Sequence, residues 1–179
     1  INLDGQPERD TEMQSMCKYW ELNPTRISAF DGRHGDLNHI LEGNHDIGIS
    51  SGEVGCVTSH LKAIKQWYLT TDTPYAIFAE DDVSFDTARF WNFTWDEFVE
   101  KLPYDWDVVQ LAIINPGVVY ASMHARWVND FSTACYMITR HHAKKLIEHH
   151  CVGDKFRLDQ GVKPLSLIHI SEPTRPSRI

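Results

Sequence analysis

Three acids in a row close a short apolar run. Residues Tyr75 to Asp86 read YAIFAEDDVSFD, so Glu80, Asp81 and Asp82 follow directly on Tyr75, Ala76, Ile77, Phe78 and Ala79. A brief apolar run bounded by turn residues reads as a buried strand of the kind found inside a parallel sheet. Carboxylates at the C-terminal end of such a strand fall where ligands bind in open α/β sheets. Adjacent carboxylates repel one another unless a cation or hydrogen-bond donors offset the charge. Donors that are all oxygen favour a hard ion, magnesium or manganese, over zinc. The plainer alternative is a solvated acidic turn; the position at a buried strand's end favours a metal.

Other residues with chemistry in them read more quietly. His60 lies beside Cys56, Ala63 and Ile64 on a helix rather than on its polar face, which suits a packing residue; His60 and Gln110 are also possible pocket residues. His141, His142, His149, His150, Cys151, Asp154 and Asp159 together offer zinc-type donors. The histidine pairs are seven or eight residues apart with Lys144 and Lys145 between them, the pattern of a solvated helix face instead. Cys17, Cys56, Cys135 and Cys151 form no Cys-x-x-Cys pair and read as free thiols of a reduced compartment. Phe90, Trp91, Phe93 and Trp95 suit core packing better than a pocket wall.

The elements that must hold these residues follow from spacing and breakers. Ile1–Asp4 is the stub of a strand, followed by a Gly-Gln-Pro loop. Residues 8–19 predict a helix with Met13, Met16 and Cys17 on one face, ended before Pro24. Arg26–Phe30 predicts a short strand closed by Asp31-Gly32, a turn pair that draws on glycine's freedom. Residues 34–44 are polar apart from Leu37, Ile40 and Leu41, and read as a surface loop with one helical turn. Ser50 and Glu53 have capping-box spacing, and Val54, Val57, Leu61, Ile64 and Tyr68 form one stripe of the helix that follows. Gly55 and Ser59 on that helix are small enough to admit a neighbouring backbone. Thr94 and Glu97 make a second capping box, with Phe98, Val99 and Leu102 behind it. Asp107–Leu111 and a segment within Phe131–Ile138 predict strands, Asn115-Pro116-Gly117 a turn, and Thr139 the cap of a helix over 140–149. Strands alternating with helices argue for an α/β domain with a mostly parallel central sheet flanked by helices.

Composition sets the outer limits. The chain has 179 residues, 42% of them hydrophobic, enough for one domain with a core. Its net charge of -8 argues against a nucleic-acid partner, whose binding face should be basic. No apolar run is long enough for a transmembrane segment. The segment LSLIHISEPTR, Leu165–Arg175, resembles the translated read-through of a transposase adapter used in DNA library preparation. Residues 165–179 are therefore expected to be foreign, and residues 1–164 to be one domain incomplete at both ends.

The blocks INLD, RISAFDG, GEVGCVTSHLKAIKQW, YAIFAEDDV, WDVVQL and TACYMITRHHAKKLI, in that order, resemble the successive blocks of glycosyltransferase family 25, whose members include lipooligosaccharide and procollagen galactosyltransferases. The resemblance implies a GT-A fold, a Rossmann-like α/β sheet that binds a nucleotide-sugar with Mn2+ or Mg2+. It implies transfer of a hexose, often galactose, from a UDP-sugar to a hydroxyl on a glycan, a lipid-linked saccharide or a hydroxylysine, with inversion. On the same ground Asp82 is the direct metal ligand, with Glu80 also at the metal and Glu80 and Asp81 near the ribose or metal-bound water. Asn2, Asp4 and Arg9 match the opening block and are candidates for donor binding, as are Asp31 and Gly32 at the second strand's end. Asp159 matches a late family aspartate and is the candidate general base. The family places such a chain in the cytoplasm, at the inner membrane surface, or in the endoplasmic reticulum lumen for an animal-type relative; the sequon Asn92-Phe93-Thr94 matters only in the last case.

Two other classes remain in view. A nucleotidyl or phosphoryl transferase also clusters carboxylates around magnesium, but would bring a Gly-rich phosphate loop that is not found here. A glycosyltransferase-like module that binds nucleotide-sugar without turnover is the second.

Overall fold

The structure is a computed structural model that describes residues 1–33, 37–43, 50–114 and 131–158. The predicted turn at Asn115-Pro116-Gly117, Asp159 and the whole of 165–179 lie outside the described residues.

Helix α1, Pro7–Tyr19, opens with proline, whose missing N–H costs nothing in a first turn, and carries Glu8 and Asp10 at its positive end. Helix α2, Ser51–Thr70, begins at the expected capping box: Ser50 accepts from the Glu53 N–H, and the Glu53 carboxylate accepts from the Ser50 N–H. Strand β1, Tyr75–Ala79, leads through the acids to helix α3, Trp95–Glu100, capped by Thr94 and Glu97 in the same reciprocal way. Strand β2 is Val108–Ile114 and strand β3 is Phe131–Thr139. Thr139 accepts from the His142 N–H to start helix α4, Arg140–His150. A small hairpin of β4, Cys151–Val152, and β5, Lys155–Phe156, turns at Gly153, whose φ of +58° suits glycine.

The central sheet corrects the expectation of mostly parallel pairing. Its order is β1-β3-β2, and β3 is antiparallel to both neighbours. Since both flank the same reversed strand, β1 and β2 do run in one direction, as their separation by a helix suggested; β3 lies between them. The apolar run of β1 was also expected to be buried, yet Phe78 alone is, and Ile77 is 45% exposed; such a run is silent about strand direction. The predicted first two strands shrink to one parallel bridge between Asn2 and Ser28, held by Asn2 N–H to Ile27 and Ala29 N–H to Asn2.

Two apolar clusters fix the layers. Ile27, Ala63, Ile64, Phe78, Tyr136, Ile138, Ala143 and Leu146 pack α2 and α4 against one face of the sheet. Leu37, Ile40 and Leu41 join Val54, Val57, Leu61, Phe156 and Leu158 in the second. The helical turn at Leu37–Ile40 was expected, and Leu37, Ile40 and Leu41, the residues the segment had to bury, are core.

Two further expectations are overturned. Phe90, Trp91 and Phe93 are exposed, so core packing does not describe them; Trp91 stacks on Phe93, and Phe93 on Phe98. α4 is not solvated at its histidines throughout. His142 and His150 lie on the same buried face as Ala143 and Leu146, while His141 and His149 face water. Burial holds His142 below the usual imidazole range, against the opposing charge of Asp107.

Candidate active site

The acidic run at the end of β1 divides, because successive residues of an extended chain project to opposite sides. Glu80 still belongs to the sheet, its N–H donating to the Ala134 carbonyl at 2.8 Å. Its side chain turns inward to α2 and β3, while Asp81 turns towards the first loop and α1.

The outer half is built on Asn2. The Asn2 amide donates to Asp81 Oδ2 at 2.7 Å and to the Gln6 carbonyl at 3.0 Å. Arg9, in the first turn of α1, donates to Asp81 Oδ1 at 3.1 Å and lies 3.5 Å from Asp82 Oδ2. Asp81 thus has both oxygens engaged and a side chain only 11% exposed, whereas the Asp82 side chain is 53% exposed. Arg26 locks the other side of Asn2. Its Nε and Nη2 reach Asn2 Oδ1 at 3.0 and 2.5 Å, and Nη2 also pairs with Asp4 at 2.7 Å. Asp4 accepts a further bond from the Ser28 hydroxyl, and these two partners, Arg26 first, hold its carboxyl below the ordinary range.

Asp31 and Gly32 sit against the start of α2. The Asp31 carboxylate accepts from the Arg33 N–H and pairs with its guanidinium. Gly32 is glycine for closeness rather than for a left-handed φ: a β-carbon there would fall 1.7 Å from the Ser51 carbonyl oxygen. Gly55 and Ser59 do admit a backbone, as their size suggested. The Phe30 N–H donates to Ser59 Oγ at 2.8 Å, and Gly55 leaves room for Phe30 and Gly32. Lys62, one turn on, donates to the Ser28 carbonyl at 2.8 Å, so α2 carries the segment that holds Asn2 in place.

The inner half is a buried chain of polar groups. His60 Nε2 lies 3.2 Å from Glu80 Oε1, and His60 Nδ1 lies 2.9 Å from the Tyr136 hydroxyl. The Thr133 hydroxyl also donates to Glu80, and Cys56 Sγ is 4.0 Å from the same carboxylate oxygen. The His60 bond, ahead of the Thr133 bond, keeps the Glu80 carboxyl below its usual range although burial opposes this. Burial first, and the Glu80 charge second, push the Cys56 thiol up. Tyr136, fully enclosed, is pushed well above the ordinary phenol range by burial.

Asn2, Arg9, Asp81 and Asp82 are therefore brought together, with Asp4 joined through Arg26. Glu80 is adjacent in sequence but spent on His60 and Thr133. The outer half offers oxygen donors alone: Asp82 presents a largely open carboxylate beside Asp81, whose two oxygens are held by Asn2 and Arg9. The sequence alone did not single out Arg26, Thr133 or Tyr136, and it placed His60 as a packing residue ahead of a pocket one. Only Cys56-x3-His60, four apart on one helix face, carried a signal for the inner half.

Residues 1–156 match the model of a protein family described as Glycosyltransferase family 25 (LPS biosynthesis protein). No curated protein matches the chain. Among the described residues, no helix is long and apolar enough to cross a membrane.

Proposed function

Starting from a chain that belongs to glycosyltransferase family 25, we propose that it moves a hexose, galactose before glucose, from UDP to a hydroxyl of a glycan or lipid-linked saccharide, with inversion at the sugar. The observation that supports this reading is the meeting of Asn2, Arg9, Asp81 and Asp82 at the end of β1. An acidic protein has little with which to hold a diphosphate unless it gathers cations at one point.

In this reading Asp82 holds Mn2+ or Mg2+, with Asp81 kept in place beside it. The ion, when bound, neutralises the diphosphate and stabilises UDP as it departs. Arg9, whose side chain is 48% exposed, offers a second positive charge to the donor's phosphates. Asn2, clamped between Arg26 and Asp81, fixes the floor of the site so that the donor meets a preset geometry. The acceptor oxygen forms its bond to the anomeric carbon as the bond to UDP breaks. Asp159, assigned from the family resemblance and lying outside the described residues, receives the acceptor's proton.

The test is calorimetric titration of UDP into the chain with and without Mn2+, together with UDP release from UDP-galactose and UDP-glucose. Manganese should tighten UDP binding, and Asp82→Ala should remove that gain and lower metal-dependent UDP release by about a hundredfold, the loss of about 3 kcal/mol of charge stabilisation. Equal UDP binding in all four combinations of protein and metal overturns the assignment. Metal-dependent UDP binding without UDP release from either sugar nucleotide points to the binding module instead.

A further inference from the structure

The inner half of the site has a property that sugar transfer does not use. Cys56 and His60 are four residues apart on one face of α2, and the end of β1 brings Glu80 to the same point. One ligand atom from each of the three lies within 4.8 Å of the other two. His60 Nε2 is 3.2 Å from Glu80 Oε1, and Cys56 Sγ is 4.0 Å from that oxygen. A tetrahedral ion with bonds of about 2.0–2.3 Å sets its nitrogen, oxygen and sulfur ligands about 3.3–3.6 Å apart. The nitrogen and oxygen already stand near that separation; the sulfur, 4.0 Å from the oxygen and within 4.8 Å of the nitrogen, must move closer to both.

We propose that Cys56, His60 and Glu80 form a site for one thiophilic divalent cation of the zinc class, separate from the hard-ion position at Asp82.

The surroundings have the form such a site requires. Metal-bound histidines carry a partner on the other ring nitrogen, which fixes the tautomer and the ring's angle. Here that partner is the fully buried Tyr136 hydroxyl, 2.9 Å from Nδ1. The Thr133 hydroxyl holds the Glu80 carboxylate in the same manner and lies 3.7 Å from Cys56 Sγ. Charge also closes. On binding, the Cys56 thiol gives its proton to solvent, and the His60 proton moves from Nε2 to Nδ1, where it faces the Tyr136 oxygen. One thiolate and one carboxylate then neutralise the two positive charges, with His60 neutral. Sulfur and imidazole donors select zinc or cobalt over magnesium and manganese, so the two positions sort their ions by chemistry. An ion here would pin α2, β1 and β3 together one residue before Asp81.

Cobalt(II) is the probe, since it takes zinc's place and absorbs light when bound to a thiolate. The reduced full chain is titrated with Co2+ and followed for the thiolate-to-cobalt charge-transfer band. A single Co2+ should bind with that band and with the intense visible bands of a tetrahedral ion, and Zn2+ should erase both. Cys56→Ser should abolish the charge-transfer band, Tyr136→Phe should weaken binding by about 10–100-fold, and Asp82→Ala should leave the band in place. Circular dichroism checks that each variant is folded. No charge-transfer band in the wild-type chain overturns the proposal whatever the variants do, and so does a band that survives Cys56→Ser in folded protein. The UDP and manganese measurements read the other half of the site, so either assignment can fail alone.

Discussion

Replacing Gly55 by alanine tests whether α2 carries the segment that orders the site. A β-carbon at Gly55 would lie 2.6 Å from the Phe30 carbonyl oxygen and 2.8 Å from the Gly32 nitrogen. Both are backbone atoms, so no side chain can rotate away. Ordinary contact begins near 3.4 Å, and relief requires the Phe30–Gly32 turn to retreat by roughly 0.8 Å. The Ser59 Oγ bond to the Phe30 N–H, now 2.8 Å, then stretches to about 3.6 Å, beyond a useful hydrogen bond. Overpacking costs about 1–3 kcal/mol, and losing that bond about 1 kcal/mol more. Alanine's better helix propensity returns at most about 1 kcal/mol. The expected net loss is about 1–3 kcal/mol, a fall in melting temperature of roughly 3–10 °C for a chain of this size. Gly52→Ala is the control on the same helix, since its β-carbon would meet nothing nearer than Ser50 Oγ at 3.9 Å. Thermal unfolding followed by circular dichroism compares the two. Should Gly55→Ala melt together with Gly52→Ala and wild type, the close approach of turn and helix is refuted, and with it the claim that α2 positions Asp31 and the segment bridged to Asn2.

Two smaller tests address the same frame. Ser59→Ala removes the acceptor of the Phe30 N–H without adding bulk and should destabilise by about 1–2 kcal/mol in urea titration; an unchanged midpoint means that N–H is satisfied some other way. Glu53 is held below its usual value by bonds to Ser50, so its contribution to stability is complete above about pH 4.5 and is lost as pH falls through the lowered value. Wild type should therefore lose more stability than Glu53→Gln between pH 5 and about 3, and parallel pH profiles would count against the cap as a source of acid sensitivity.

Much of the frame was legible because its signals are local. Ser50-x-x-Glu53, Thr94-x-x-Glu97 and Thr139 each mark a helix start that depends only on residues within one turn. The apolar run Tyr75–Ala79 marked a strand. What sequence left open was relation across distance. The insertion of β3 between β1 and β2 depends on pairing over some sixty residues, and no periodicity within either strand encodes it. Arg26 was unremarkable in its own segment. Its importance comes from Asn2, Asp4 and Asp10 lying within reach after folding. His60 was judged by its neighbours on α2, and the partners that define it, Glu80 and Tyr136, come from β1 and β3.

The division of Glu80 from Asp81 and Asp82 bears on how the acids can sit side by side at all. Carboxylates crowded on one face would raise one another's proton affinity and blunt the site as a cation trap. Projecting Glu80 to the inside gives it His60 and Thr133 as donors and leaves Asp81 to Asn2 and Arg9. Glu80 is thereby held as an anion by His60 first and Thr133 after it. Asp82, the last of the three, is the most exposed and the one whose pairing, 3.5 Å from Arg9, is loosest. The strand end therefore presents one adaptable carboxylate, Asp82, on a base that Asn2, Arg9 and Arg26 already lock in position.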